Sequence, residues 1–125
     1  MLEDRTTPAV SAVVEGHTLF VTLSEANDTA FVQVNGGNID VDDEDTFAVP
    51  TSFSDVNSIV VRDASANANQ SVVFTGGTTF VLNGGLFSTG VESVTFDADV
   101  NNGAAMVVVN APRQIAVNST ISTSG

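Results

Sequence analysis

Two clusters of oxygen-bearing side chains are the residues of this sequence best able to do chemistry. One is the acidic stretch from Asp40 to Asp45, and the other is the turn from Asp97 to Gly103. A calcium ion takes about six to eight oxygen ligands, which closely spaced carboxylates, amides and loop carbonyls supply. The pattern therefore predicts bound calcium, with side-chain ligands drawn from Asp40, Asp42, Glu44, Asp97, Asp99 and Asn101.

The turn from Asp97 to Gly103 has the alternating oxygen ligands of a calcium loop, but it is not an EF-hand. An EF-hand has glycine at its sixth position and a bidentate acid at its twelfth. Those positions hold Asn102 and Val108 here. The alternative interpretation is that both clusters are solvated acidic turns. Because calcium would relieve repulsion between carboxylates, we expect it to raise the melting temperature if it binds.

Groups for acid–base or nucleophilic catalysis are scarce. His17 is the single histidine, and the chain has no cysteine, lysine or tyrosine. No G-x-S-x-G motif is present, and His17 follows Gly16 at a predicted turn, where we expect it to be exposed. Arg62 and Arg113 are not equivalent positions of the internal repeat, so they do not predict the basic row of a polysaccharide lyase. We expect no enzymatic activity.

The charge excludes several classes of partner. Fifteen acidic residues against three arginines give a formal net charge of −12. Such a chain repels the phosphates of nucleic acids and the head groups of anionic membranes. No apolar run reaches the length of a membrane-spanning helix. The absence of cysteine excludes disulfides.

An internal repeat organises the chain. Val, Thr, Ser, Asn and Gly dominate the composition, which is typical of β-structure. The segment from Ser58 to Asn83 matches a later segment when displaced forward, which places Ile59 on Val94. Displaced backward, it matches an earlier segment and places Val61 on Val21. The copies are residues 18–41, 58–83 and 91–118, with an acidic insertion at 42–57.

This repeat predicts an all-β domain over residues 9–125. Its main interpretation is a parallel β-helix, or solenoid, of about three coils that stack about 4.8 Å apart. The alternative is an antiparallel β-sandwich, for which the Gly36-Gly37 hairpin is the local signal. A stack of about three coils leaves its ends uncovered. We therefore expect further repeats of a longer parent protein.

The N-terminal residues resemble a known signature. Leu2, Glu3, Arg5 and Pro8 match the L-E-x-R-x-x-P element of large secreted or surface β-repeat proteins of planctomycetes. The resemblance implies a disordered signature at residues 1–8 and a secreted or cell-surface location, although the basic export segment that precedes this element is not visible. The segment from Leu19 to Val41 is also loosely similar to repeats-in-toxin-like and adhesin proteins, through the turn from Ala26 to Thr29.

Together these features predict a non-enzymatic extracellular or cell-surface module with a structural or adhesin-like role, stabilised by calcium. Its expected partners are further repeats of the parent protein or cell-surface glycans, without nucleic acid or membrane insertion. Two alternatives stay open. One is a calcium-assisted carbohydrate-binding module with its site at Asp97 to Gly103, and the other is a fragment of a carbohydrate-active β-helix protein.

Overall fold

The computed structural model confirms the all-β prediction. It describes residues 10–23, 29–42, 51–63, 70–101, 103, 107–111 and 113–122, which contain β-strands and no helix. No helix long and apolar enough to cross a membrane occurs in this part of the chain. The strands are β1 (Val10–Glu15), β2 (Thr18–Leu23), β3 (Thr29–Asn35), β4 (Asn38–Asp42), β5 (Thr51–Phe53), β6 (Ser58–Asp63), β7 (Ser71–Thr75), β8 (Phe80–Val81), β9 (Gly85–Ser88), β10 (Ser93–Phe96), β11 (Val100–Asn101), β12 (Val107–Val109), β13 (Gln114–Val117) and β14 (Ile121–Ser122).

The strands form three sheets. Sheet A has the order β1-β2-β6-β9-β12, sheet B the order β13-β10-β7-β3-β4-β5, and sheet C the order β14-β11-β8. Among these strands, pairing is antiparallel only between β1 and β2, β3 and β4, and β4 and β5. All other pairs of described strands are parallel. Sheets A and B are therefore mixed, and sheet C is parallel.

The chain visits the sheets in a fixed order. It runs from A to B to C through β6, β7 and β8, again through β9, β10 and β11, and once more through β12, β13 and β14. An earlier pass runs from β2 to β3 and then into the antiparallel strands β4 and β5. Each pass lays its strands beside those of the pass before, so neighbouring strands come from successive passes.

The backward displacement is correct in sheet A, where Leu19 pairs with Ile59 and Val21 with Val61, β2 on β6. In sheet B the same displacement is two residues out, because Val72 pairs with Ala30 rather than with Val32. The forward displacement onto the third copy is wrong, because Ile59 pairs with Leu86. Val94 lies instead in sheet B, beside Val72. The inward positions of both sheets are apolar, so matching a strand of sheet A to one of sheet B still aligned valine with valine.

The spacing between passes becomes regular toward the C-terminus. Between the second and third passes the separation along the chain differs from sheet to sheet, as shown by the pairs Ile59–Leu86, Val72–Val94 and Phe80–Val100. Between the third and fourth passes the separation is 21 residues in every sheet, and the hydrogen bonds from Asn118 to Asp97 and from Thr120 to Asp99 span the same distance along the chain. The last two passes are therefore equivalent units of constant length.

Alternation along the strands builds one core between the sheets. In β2, Leu19, Val21 and Leu23 are buried while the residues between them are partly exposed. Phenylalanine rings pack between passes and within one: Phe74 stacks on Phe96 of the next pass at a centroid distance of 5.1 Å and meets Phe80 of its own pass edge-on at 5.6 Å. Such aromatic pairs stabilise a core beyond their buried area, by about 0.5–1.5 kcal/mol each.

The predicted Gly-Gly hairpin is confirmed. Asn35 pairs with Asn38 across Gly36-Gly37, and Gly36 has a φ of 62°, a conformation that glycine adopts without strain. The hairpin sends β4 along the edge of β3, and β5 then pairs with β4. The predicted acidic insertion thus includes β5, whereas residues 43–50 lie outside the described residues.

The two ends of the sheets differ. At one end, antiparallel strands, β1 in sheet A and β5 in sheet B, form the outermost positions. At the other end, the outermost strands are β12, β13 and β14, all from the last pass. We call this second end the open end. There Ile115 and Val117 continue the buried rows of sheet B but are 48% and 50% exposed.

Candidate functional site

The predicted calcium ligands of the second cluster lie along the corner between sheets B and C. Asp97 follows β10, Asp99 precedes β11, and Asn101 ends β11. All three are exposed, and each accepts a hydrogen bond from the protein itself. Asn118 Nδ2 donates to Asp97 Oδ1 at 2.7 Å, and the Thr120 amide donates to Asp99 Oδ1 at 2.9 Å.

These hydrogen bonds join the corners of two successive passes, because Asn118 and Thr120 occupy the corresponding corner between β13 and β14. The Ser119 hydroxyl contacts two more acceptors in the same corner, the carbonyl oxygens of Phe96 at 3.1 Å and Ala98 at 2.8 Å. Within one corner, the Gly103 amide donates to Asn101 Oδ1 at 3.1 Å. The oxygens that the sequence offers to a metal thus hold neighbouring turns together.

The first acidic cluster is built around a buried carboxylate. Asp40, on β4, is 2% exposed, and its carboxylate accepts hydrogen bonds from Asn35 Nδ2 at 3.1 Å and from the Ser52 hydroxyl. These contacts fasten β4 to the hairpin turn and to β5. Asp42 is partly buried opposite Phe31, while Glu44 lies outside the described residues.

The two acidic clusters belong to different places in the molecule. β10 and β4 are separated by β7 and β3 in sheet B, three strand steps or about 14 Å. Within the residues that the structure describes, no group of three or more His, Asp or Glu side chains is close enough to hold a metal. Calcium binding therefore stays a prediction.

His17 acts as a structural contact between two loops. It is exposed, as predicted, and its Nδ1 donates to the carbonyl oxygen of Asp55 at 2.9 Å. The His17 carbonyl oxygen accepts from the Asn57 amide at 2.8 Å. Asp55 has a φ of 57°, which is uncommon for a residue other than glycine. The turn between β1 and β2 thus holds a strained residue in the loop before β6.

The two arginines of the described residues lie on different sheets. Arg113 precedes β13 in sheet B and forms an exposed ion pair with Glu92 at 3.6 Å. Arg62, on β6 in sheet A, donates from Nε to Thr22 Oγ1 at 3.1 Å. Its guanidinium carbon lies 4.8 Å from the centre of the Phe20 ring. Arg62 and Arg113 therefore do not form a row on one face.

An apolar row on the outer face of sheet A was missed by the sequence reasoning. Its members are direct cross-strand partners on all five strands of the sheet: Val13, Phe20, Val60, Phe87 and Val108. We call them the outer row. The signal for this row in the sequence was the alternation of side chains along each strand. Because Leu19 and Val21 on β2 are buried, Phe20 between them lies on the opposite face.

A shallow cleft lies beside β8, the outermost strand of sheet C at the end opposite the open end. Its volume is about 210 Å³, and its lining contains no charged side chain: Val34, Gly37, Asn38, Ile39, Val56, Thr79 and Val81. Among the described lining residues, only Asn38 and Thr79 have polar side chains.

A scan against protein-family models, a search of curated proteins and a search of solved structures each find no match to this chain.

Proposed function

We propose that this chain is a non-enzymatic structural module of an extracellular or cell-surface protein, built as a parallel β-helix that further repeats extend. Three observations support the β-helix: the fixed order of the sheets, the parallel pairing between passes, and the single core between the sheets. Each pass is then one coil, and the described chain contains four coils, of which the first ends in the antiparallel strands β4 and β5.

The open end is the observation that carries this proposal. Three parallel edge strands, β12, β13 and β14, meet there, and an unpaired strand edge is a template for another strand. Ile115 and Val117 leave about half of their surface in water, although their partners Val94 and Phe96 are fully buried. A further coil of the same shape would pair with the edges and cover both side chains.

The constant spacing of the last two coils predicts the length of the coil that would be added. Every sheet advances by the same 21 residues between the third and fourth coils, so the natural continuation is another coil of equal length. In repeat proteins of this kind each unit contacts its neighbours only, and stability grows with each interface. Each added coil would lengthen the stack by about 4.8 Å, which suits a rigid spacer or an adhesin-like stalk.

The placement of the reactive groups supports a structural role over catalysis. His17 binds a loop carbonyl, Asp97 and Asp99 bind the next corner, and Asp40 is hydrogen-bonded inside a hairpin. Each of these side chains therefore makes a hydrogen bond that stabilises the fold. The N-terminal resemblance to planctomycetal surface proteins supports the extracellular location.

An added coil tests the proposal directly. A variant that repeats residues 102–122 once more after Ser122 places a second copy of the last coil over the open end. We expect its melting temperature to rise by about 5 °C, because covering Ile115 and Val117 adds on the order of 1 kcal/mol of burial. The measurement is thermal unfolding followed by circular dichroism.

The matched control carries the same added segment in scrambled order. This tail has the same composition and charge but cannot present apolar side chains at the required positions. If the two extended proteins melt at the same temperature, the open end does not accept a further coil. The structural-repeat proposal is then wrong.

Calcium stabilisation is a separate part of the proposal. Calcium at the corner would have to compete with the hydrogen bonds from Asn118 and Thr120 to Asp97 and Asp99. We expect the melting temperature to be higher in about 5 mM calcium, above the usual range of extracellular sites, than in excess chelator. Superimposable melting curves would remove calcium from the proposed function.

A further inference from the structure

The outer row forms a flat apolar strip that the core does not use. Inward-facing neighbours of its members, such as Ile59 and Leu86, are fully buried, whereas the row itself faces away from them. Its end members, Val13 and Val108, are 48% and 36% exposed, and the three residues between them are partly exposed. Five strands in succession make the strip about 19 Å long.

Polar groups border this strip on both sides. On one side, the hydroxyls of Thr18 and Ser58 are bonded to each other at 2.8 Å. On the other side, Thr22 holds Arg62 through its Nε, and the guanidinium lies over the Phe20 ring. A guanidinium has five N–H donors, and among the described residues only Thr22 is seen to accept from Arg62.

The size of the face excludes a stable protein partner. On β2 the strip and its polar borders run from Thr18 to Thr22, four residue steps or about 13 Å. With a length of about 19 Å they offer roughly 250 Å², against about 800 Å² per partner in a stable protein interface. Peptides that bind to sheets add to the edges rather than to the faces. The net charge of −12 repels nucleic acids and other polyanions, which one exposed arginine does not offset.

We propose that the outer row and its borders bind a neutral polysaccharide chain that runs across the strands of sheet A. The carbon–hydrogen faces of pyranose rings pack on the apolar strip beside the Arg62 guanidinium that lies over Phe20, and the Phe87 ring provides the broadest surface for them. The sugar hydroxyls extend sideways to the partly exposed Thr18 on one edge and to Arg62 on the other, while the buried Ser58 holds the Thr18 hydroxyl in place. This site differs from the acidic corner at Asp97, and it does not depend on further coils being present.

Binding to neutral polysaccharides tests the site. The full chain is mixed with microcrystalline cellulose and with chitin, and depletion from solution is measured, followed by titration calorimetry with a soluble hexasaccharide of whichever is bound. We expect Phe87→Ser to weaken binding by about tenfold, the scale of one lost aromatic contact. Phe31→Ser makes the same change on the outer face of sheet B and should bind as the unaltered chain does.

A second variant covers the case in which Phe87→Ser does not fold. Val108→Lys lies at the exposed end of the row, on the edge strand β12, where a long polar side chain can reach water. It should also weaken binding while its circular dichroism stays that of the unaltered chain. Retention of neither polysaccharide overturns the proposal, as does equal binding by Phe87→Ser and Phe31→Ser. Preference for an acidic polysaccharide, or self-association abolished by Val108→Lys, overturns it as well.

Discussion

At the scale of single residues, Ser88 places a polar side chain in the interior. It lies in sheet A between Val61 and Val109, and it is fully buried. Its hydroxyl has no hydrogen-bond partner among the described residues. An unsatisfied buried hydroxyl keeps its desolvation penalty of about 1–3 kcal/mol. This position therefore weakens the stack that the valines around it stabilise.

Replacing this residue should strengthen the protein. We expect Ser88→Ala to raise the free energy of unfolding by about 1 kcal/mol, because the buried hydroxyl is removed and little volume is lost. The measurement is urea unfolding monitored by circular dichroism. Ser93→Ala is the matched control, since Ser93 is partly exposed at the start of β10 and should change stability little. A loss of stability in Ser88→Ala would show that its hydroxyl is satisfied.

At the scale of elements, the corner between sheets B and C is held by hydrogen bonds between successive passes. The Asn118 side-chain amide donates to Asp97, the Thr120 backbone amide donates to Asp99, and the Ser119 hydroxyl contacts two carbonyl oxygens of the corner before it. The acidic residues were predicted from spacing to be metal ligands. Their partners lie 21 residues further along the chain and could not be identified without the correct register.

A single substitution at this corner separates the hydrogen-bonding role from the metal-binding role. Asn118→Asp replaces a donor with a second carboxylate facing Asp97, where the present hydrogen bond is 2.7 Å long, so two like charges would meet. We expect a lower melting temperature at low salt and partial recovery in high salt, because both groups are exposed and screened.

Asn118→Ala is the control for that substitution, because it removes the hydrogen bond without adding a charge. Its melting temperature should fall less than that of Asn118→Asp and should depend little on salt. Equal melting temperatures for the two variants would mean that Asp97 and residue 118 do not interact electrostatically. Melting in calcium then shows whether a pair of carboxylates creates a response that the unaltered corner lacks.

Local sequence signals predicted the strands and the hairpin, but they did not predict most of the register between the strands. The Gly36-Gly37 hairpin followed from turn chemistry, and the pairing of β2 with β6 followed from their similar apolar runs. The later pairings, such as β6 with β9 and β7 with β10, were not found. Sheets A and B both place valine or a similar residue at every second position, so a wrong displacement matches almost as well as the right one.

At the scale of the whole molecule, the passes are unequally supported. Among the described strands, β9, β10 and β11 of the third pass pair on both sides, whereas β12, β13 and β14 of the fourth pass pair on one side only. The outer row and the open end depend on which strands pair, so neither could be identified from a single stretch of the sequence. The functional proposals rest on these two surfaces rather than on the acidic motifs that the sequence made prominent.

Unequal support predicts graded local stability. In native-state hydrogen exchange we expect the amides of β13 and β14 to exchange fastest among the parallel strands, and those of β7 and β10 slowest. The expected ratio of the fastest to the slowest of these exchange rates is at least about tenfold, since opening the last pass breaks one interface rather than two. Uniform protection of β7, β10 and β13 would mean that the stack opens as a single unit.

The difference between the two ends also bears on how the protein folds during synthesis. Chains emerge from the ribosome N-terminus first, so β1 to β5 are synthesised before the strands of any later pass. The early hairpins form from neighbouring residues and need no distant partner. Each later pass then meets an edge that has already formed and adds one short strand to each sheet. Folding can thus proceed pass by pass while the chain is being synthesised.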